Sequence, residues 1–517
     1  MHHDGNSLLD ETGIDPTDER FHPLLADLQG NILKPHGRPY SVHLFLHFHA
    51  SPETAREWIA EFARTRVISA LGQFGAARAY QENPASYVEK PFAMLLLSMS
   101  GYCALGVPEH LIPPDVRFRL GMANTNVRAW LHDPPQDQWD EPYRDDVHAM
   151  IILAHSDDPR DDTPFKAAVE EIAAEVETVA HIVAREDGYV LREQNGRGRP
   201  IEHFGFVDNL SQPLFFDYDL ANPRQRQGRE WWDASAPLRL VLAHDPGGAW
   251  ADSYGSYIVY RKLEQDVERF NQLAAELGQT LGVDEELAAA YVIGRFRDGR
   301  PVVRGAQTAV DDVGDDLDGF TFRSDIAGNR CPYHAHIRKV NPRGEKHREL
   351  LPPFMRFVAR RPWLLRVIYP LLAKELEMMD HMERAHRIAR RGTTYGPDES
   401  GRVGLLFMCA QANINQQFEF IQTTWANATT FLKPDTGLDP LIGQGYQLPG
   451  GQRWPNRWGQ RERTPYDFGQ CVTLRGGEYF FAPSLSALRA LPNVDEHGDH
   501  HGGGNGDGDG GGHGPHH

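Results

Sequence analysis

Tyr40-Ser41-Val42-His43-Leu44-Phe45-Leu46-His47-Phe48, followed closely by Ser51-Pro52-Glu53, is the stretch from which the fold can be read. Val42, Leu44, Leu46 and Phe48 fall on one face at the period of two that marks a strand. Ser51 suits a helix N-cap, and Pro52 the first helical position, where a missing N–H costs nothing. Trp58, Ile59, Phe62 and Ala63 then recur at helical spacing. Outward from this unit, Phe92–Met99 and Met150–His155 read as two more strands. The second leads through Asp161-Asp162-Thr163-Pro164 into a helix predicted to run to about Ala184. Strand, helix, strand and strand, helix in that order predict an α+β sandwich with helices on one face of an antiparallel sheet.

The same grammar returns after about residue 235. Leu238–Ala243 and Ser256–Arg261 read as strands, and about Leu263–Leu277 as a helix. Gly404–Cys409 is a compact apolar strand followed by a helix around Gln417–Trp425. Val472–Phe481 is predicted as a strand pair turning at Arg475-Gly476-Gly477. The expectation is therefore two related α+β halves, although no internal sequence repeat is visible.

The chain has 517 residues and a formal net charge of −19. A surface of that sign repels phosphate backbones and argues against nucleic acid as a partner. The four cysteines (Cys103, Cys331, Cys409 and Cys471) form no Cys-x-x-Cys pair, which argues against a structural zinc site or a disulfide scaffold. Such sparse usage fits a reducing compartment, and Met1–Arg20 lacks the basic start and apolar run of a signal peptide, so a cytoplasmic location is expected. No apolar stretch is long enough for a membrane span.

Leu351–Arg387, rich in Phe, Trp, Leu, Met and Arg, reads as an inserted helical pair packed on the body or on a second copy of the chain. That leaves a homo-oligomer open, with docking on a membrane surface as the alternative. The tract His497–His517 has nothing to bury and reads as a disordered tail; loose metal holding and an inert solvated role fit it equally.

Four blocks carry chemistry. The first is His203-Phe204-Gly205-Phe206-Val207-Asp208-Asn209-Leu210-Ser211-Gln212-Pro213. The second is Cys331-Pro332-Tyr333-His334-Ala335-His336-Ile337-Arg338-Lys339-Val340-Asn341-Pro342-Arg343. Arg387-Ile388-Ala389-Arg390-Arg391-Gly392-Thr393-Thr394-Tyr395-Gly396-Pro397 follows, and then Gly404-Leu405-Leu406-Phe407-Met408-Cys409-Ala410-Gln411-Ala412-Asn413. One histidine among 25 would say little alone; the order of the blocks changes its meaning. Together they resemble the dye-decolourising peroxidases. That family is marked by Gly-x-x-Asp-Gly, a histidine in His-Ile-Arg before Asn-Pro-Arg, and an arginine before Arg-Gly. Leu28-Gln29-Gly30-Asn31-Ile32-Leu33 is similar to members lacking a secretion signal, and the resemblance spans roughly residues 25–490.

The resemblance implies two ferredoxin-like domains of the dimeric α+β barrel type. A flexible arm over 1–22 would precede an N-terminal domain over 23–200. A haem-binding C-terminal domain over 201–490, with the insertion at 351–387, would precede a tail over 491–517. It also implies one haem b per chain, ligated by His336, with hydrogen peroxide and small aromatic reductants as partners. Ferric haem needs one strong protein ligand, and hydrogen bonding of the imidazole's other nitrogen to a carboxylate raises its basicity. Asp439 is the candidate carboxylate, with a turn role reading equally well, and His334 is the rival ligand. Asp208 would move the proton of peroxide, with capping of the following turn as its plain alternative. A carboxylate base in its ordinary state titrates near ~4, so an acidic optimum is expected.

Arg390, rather than its neighbour Arg391, would supply positive charge where hydroxide develops. By motif position Asn209, Leu210 and Ser211 would line the haem edge. Asn341, Pro342 and Arg343 would lie near the propionates, with Arg343 as their anion partner. Leu405 and Phe407 would wall the peroxide side, or serve as ordinary strand core. Trp425 and Tyr395 are candidates for a surface aromatic through which bulky dyes are oxidised. One departure stands out: Asn209 occupies the place of the second motif glycine. Asparagine tolerates a left-handed backbone, but its side chain crowds the haem edge. A haem-handling or sensing protein with little turnover is the rival function, and Asn209 is its support.

Overall fold

Eight strands close into a ring, each paired antiparallel with the next. In chain order the strands are β1 (Tyr40–Phe48), β2 (Phe92–Ser98), β3 (Ala149–His155), β4 (Ala180–Tyr189), β5 (Ala243–His244), β6 (Tyr254–Gln265), β7 (Ala389–Arg390), β8 (Thr393–Tyr395), β9 (Gly404–Gln411), β10 (Arg453–Pro455), β11 (Arg463–Pro465) and β12 (Val472–Ala482). The ring runs β6-β12-β2-β3-β1-β4-β8-β9 and returns to β6, with β5 and β7 attached beside it and β10-β11 as a separate ribbon. This is a computed structural model, and it describes residues 7–195, 197–221, 232–306, 317–344, 382–447 and 449–497.

Each half of the ring has the same topology. In the N-terminal half β1 and β3 are central and β2 and β4 outer; in the C-terminal half β6 and β9 are central and β8 and β12 outer. This is the ferredoxin-like α+β arrangement expected from the sequence. The halves meet through short seams, Phe480 and Phe481 of β12 against Ser98 and Leu97 of β2, and Gly188 and Tyr189 of β4 against Tyr395 and Thr394 of β8. Helices cover the outside: α1 (Pro52–Thr65), α2 (Ala70–Glu82) and α3 (Pro164–Val176) on the first half, α4 (Val267–Leu281) and α5 (Glu285–Ile293) on the second. Ser51 caps α1 by accepting from the Thr54 N–H, and Asp266 caps α4 by accepting from the Arg269 N–H at 2.9 Å. Among the described residues no helix is long and apolar enough to cross a membrane.

Closure explains where the strand pattern understated burial. Leu44 and Leu46 are buried as expected, but so are His43 and Phe45 on the other face. Phe45 and His43 meet Tyr260 of β6 across the ring, at ring-centroid distances of 4.8 and 6.4 Å. On that same face of β6, the Lys262 ammonium pairs with Glu186 of β4 at 2.7 Å and with Asp140 at 3.1 Å. Arg402 also reaches Asp140, at 2.8 Å.

Several boundaries differ from the sequence reading. The helix predicted to Ala184 stops at Val176, and Ala180–Tyr189 is the outer strand β4 instead, because its amide groups pair with β1. Leu238–Leu240 is a 3₁₀ turn, leaving only Ala243–His244 as strand. Val472–Ala482 is one strand rather than a hairpin; Gly476 sits at a register shift against β6, not at a turn. The helix expected around Gln417–Trp425 is a single turn, Phe418–Phe420, followed by a π-helical stretch, Ile421–Ala426. Part of the expected arm lies on the body: Ile14 and Phe21 are buried, and the Ile14 N–H donates to Phe215 O at 2.8 Å. Of the insertion expected at 351–387, residues 351–381 lie outside the described residues, as does the tail from 498.

Candidate active site

Alternation along β9 turns Leu406 and Met408 into the ring core and Leu405 and Phe407 to the outside, where they wall a cavity of about 780 Å³. Their neighbours on β6, Arg261 and Leu263, line the same cavity. Another part of the wall comes from a short helix, α6 (His336–Val340), whose first residue is His336. Two buried cations fix α6. The Arg338 guanidinium pairs with Asp325 at 3.0 Å, and the Lys339 ammonium donates to the carbonyls of Ala426, Ala428 and Gly437.

His336 Nδ1 lies 2.9 Å from Asp439 Oδ2. A carboxylate partner fixes Nδ1 as the protonated nitrogen and leaves Nε2 its lone pair. Asp439 is buried, and its other oxygen accepts from the N–H groups of Leu441 and Ile442 at 2.9 and 3.1 Å. Burial pushes its carboxyl up, but His336 and these two N–H donors outweigh that and hold it below the usual range. Asp439 thus both caps a turn and faces His336. His334, the rival, is buried against the Trp454 ring, 4.2 Å between centroids, and does not line the cavity.

Asp208 and Arg390 face each other in the same cavity, Nη1 to Oδ1 at 3.3 Å. Their side chains are 35% and 36% exposed, so both are open to a ligand. Arg390 Nη2 also donates to Leu210 O at 2.5 Å, and its N–H to Gln212 Oε1 at 3.0 Å. Asn209 adopts φ +62°, the left-handed backbone that the glycine of the motif would favour. Its side chain accepts from Gln212 Nε2 at 3.0 Å. Ser211, Asn341 and Arg343 line the cavity; Pro342 is buried behind it. Arg343 turns its guanidinium onto Asp318 O, Phe320 O and Ser211 rather than leaving it open, and burial pushes it down to about 9. Trp425 and Tyr395 are each 2% exposed, so neither is a surface aromatic.

Among the polar residues that escaped sequence reading are Glu202 and Arg295 in the wall and Asp318, which contacts the wall residue Ser211. Glu202 accepts from the N–H groups of Phe204 and Phe206, both at 2.9 Å, and so winds the loop that ends on Asp208. Burial pushes its carboxyl up to about 7 against those bonds. Arg295 pairs at 2.9 Å with Asp318, which in turn holds Ser211 through its N–H and hydroxyl. Glu202 stands one residue ahead of a recognisable block; Arg295 and Asp318 stand in no motif and meet only in the fold.

The cavity fits a haem. It has the His336 imidazole with a free lone pair, apolar walls from Leu405, Phe407 and Ile337, and the partly exposed Arg390 guanidinium; His132 also lies in its lining. No protein-family model matches the chain. It is 36% identical over 498 residues to the multifunctional dye peroxidase DyP2 of Amycolatopsis sp., covering 90% of this chain and 96% of that one. The chain belongs to the dye-decolourising peroxidase family. The crystal structure of a DyP-type peroxidase of Anabaena sp. superposes with a TM-score of 0.83 at 39% identity, covering 93% of this chain and 98% of that one. The dye-decolorizing peroxidase msp1 of Mycetinis scorodonius is 28% identical, covering 91% of this chain and 88% of that one. Dye-decolourising peroxidases are haem enzymes that use hydrogen peroxide to oxidise organic molecules, and this chain is a peroxidase of that kind. A haem-handling protein with little turnover is not favoured.

Proposed function

We propose that this dye-decolourising peroxidase binds one haem b through His336 and cleaves hydrogen peroxide with Asp208 and Arg390. The observation that carries this reading is one cavity lined by an imidazole backed by a buried carboxylate and by a carboxylate facing a guanidinium. A non-covalent haem is favoured because the sequence offers no Cys-x-x-Cys-His attachment motif. When bound, haem would supply the electrons that split the peroxide O–O bond and would pass the oxidising equivalents singly to an organic donor.

The rest is the work of side chains. Asp208 takes the proton from one peroxide oxygen and returns it to the departing one. Arg390 offers fixed positive charge to the hydroxide that develops, a contribution that needs no proton of its own. Asp439 keeps the His336 ring oriented and electron-rich. Asn209, Leu210, Ser211, Asn341 and Arg343 would border the macrocycle, and Leu405 and Phe407 would limit what approaches it. Pro342 would support that border from behind. Small phenolic or dye-like aromatics are the donors we favour. Sparse cysteine usage, four in 517 residues with no Cys-x-x-Cys pair, supports a cytoplasmic setting.

The test is the absorption spectrum of the haem-reconstituted chain beside His336→Ala, with stopped-flow mixing against peroxide for Asp208→Asn and Arg390→Leu. A Soret band lost with His336, and a peroxide step slowed at least about a hundredfold in one of the other two variants, are expected. An unchanged spectrum in His336→Ala would end the proposal. Pyridine haemochrome analysis and an iron count per chain check the haem type and number.

A further inference from the structure

The segment Leu28–Leu33 contributes nothing to the cavity lining among the described residues, yet it grips the residue next to Arg390. Arg391 Nε donates to Asn31 O and Nη2 to Ile32 O, both at 2.6 Å. The third arm, Nη1, donates to Arg390 O at 2.7 Å. Arg391 is 8% exposed, and among the described residues no carboxylate pairs with it. Burial accordingly pushes its guanidinium down to about 9. A buried cation without an anion costs stability, so geometry has to be what it contributes.

The acceptors are themselves held. Asn31 sits at φ +65°, donates its N–H to Gln73 Oε1 at 2.8 Å and accepts from the His36 N–H at 3.0 Å. The Gln29 side chain bridges Leu95 O and Pro483 O, at 2.8 Å each. Arg390 is thus fastened on both sides. Gln212, of the block that carries Asp208, takes its N–H, and the Arg391 fork takes its carbonyl.

We propose that Arg391 and the Asn31–Ile32 turn form a positioning device through which the N-terminal half of the chain aims the Arg390 guanidinium into the cavity. This rests on the reading of Arg390 given above. A lysine at 391 keeps the charge but has no planar fork to span three carbonyls, so it would hold the backbone less firmly. A guanidinium displaced by a fraction of an ångström makes a poorer hydrogen bond to a small anion.

The experiment is a fluoride titration of the haem-loaded full chain, followed by absorption, for Arg390→Leu, Arg391→Lys and the double variant, with melting temperatures alongside. We expect Arg390→Leu to weaken fluoride at least about tenfold and Arg391→Lys by about tenfold. The double variant should be no weaker than Arg390→Leu alone, since Arg391 acts only through its neighbour. Unchanged fluoride affinity in Arg391→Lys, or losses that multiply in the double variant, would overturn the proposal. No effect in Arg390→Leu would instead overturn the reading of Arg390, and this inference with it. Should Arg391→Lys fail to retain haem, Asn31→Val, which disfavours the left-handed turn, replaces it in the same cycle. Weakened fluoride binding there supports the device, and unchanged binding overturns it.

Discussion

His336 and Asp439 are separated by 103 residues and joined by one 2.9 Å contact, which makes the pair a sensitive place to cut. In Asp439→Asn the amide can still accept from Leu441 and Ile442, but it presents an N–H to an imidazole nitrogen that already carries one. Haem affinity should fall about 10- to 100-fold, and the Fe(III)/Fe(II) midpoint should rise as the ring loses electron density. Haem titration and spectroelectrochemistry measure both; an unmoved midpoint would exclude the role. Asn209 makes a second case. Asn209→Gly should leave stability nearly unchanged, whereas Asn209→Val should lose about 1–2 kcal/mol in urea unfolding, because a β-branched residue resists φ +62°.

Glu478, on β12, brings a half-buried carboxylate into a strand. Its Oε1 accepts from the N–H groups of Met122 and Tyr479, while burial pushes it up to about 7. In the unfolded chain glutamate releases its proton near ~4.3. Between those values the folded protein binds the extra proton, so stability falls as pH rises through the window. Glu478→Gln keeps the accepting oxygen and cannot ionise. It should flatten that fall by on the order of 2–3 kcal/mol, read from urea midpoints at pH 5 and pH 7.5. An equal pH slope in wild type and variant would contradict the assignment.

At this scale the limits of sequence reading are also plain. β1, α1 and β9 were legible because alternation and caps are local. β4 was not, because Val179-Ala180-His181-Ile182-Val183-Ala184 continues an apolar pattern that a helix could equally use. β12 was cut in two at Gly476-Gly477 because two glycines usually turn a chain, and only pairing with β6 makes them a register shift. His336, Asp208 and Arg390 stood in motifs that the fold brings to one cavity. Arg295, Asp318 and the grip on Arg391 depend on contacts between distant segments, which no local pattern carries.

For the molecule as a whole, the ion cluster on the inner face of β6 couples the halves, since Lys262 and Arg402 come from one and Glu186 and Asp140 from the other. Lys262→Met removes the cation and leaves the buried Glu186 with a carboxylate neighbour. It should cost about 3–5 kcal/mol in chemical unfolding, with much of the loss recovered by adding Glu186→Gln. An unshifted unfolding midpoint would mean the cluster is incidental.

Ring closure also bears on synthesis. When the ribosome has released only the first two hundred residues, the segments that seal both seams do not yet exist. One rim of the young half, Ala180–Tyr189, carries Arg185, Glu186 and Asp187, charges that discourage adventitious pairing. The other, Phe92–Ser98, offers Phe-Ala-Met-Leu-Leu-Leu-Ser with no such guard. Truncated transcripts should therefore yield inclusion bodies through that bare edge, and a lysine placed there would trade aggregation for a weakened seam.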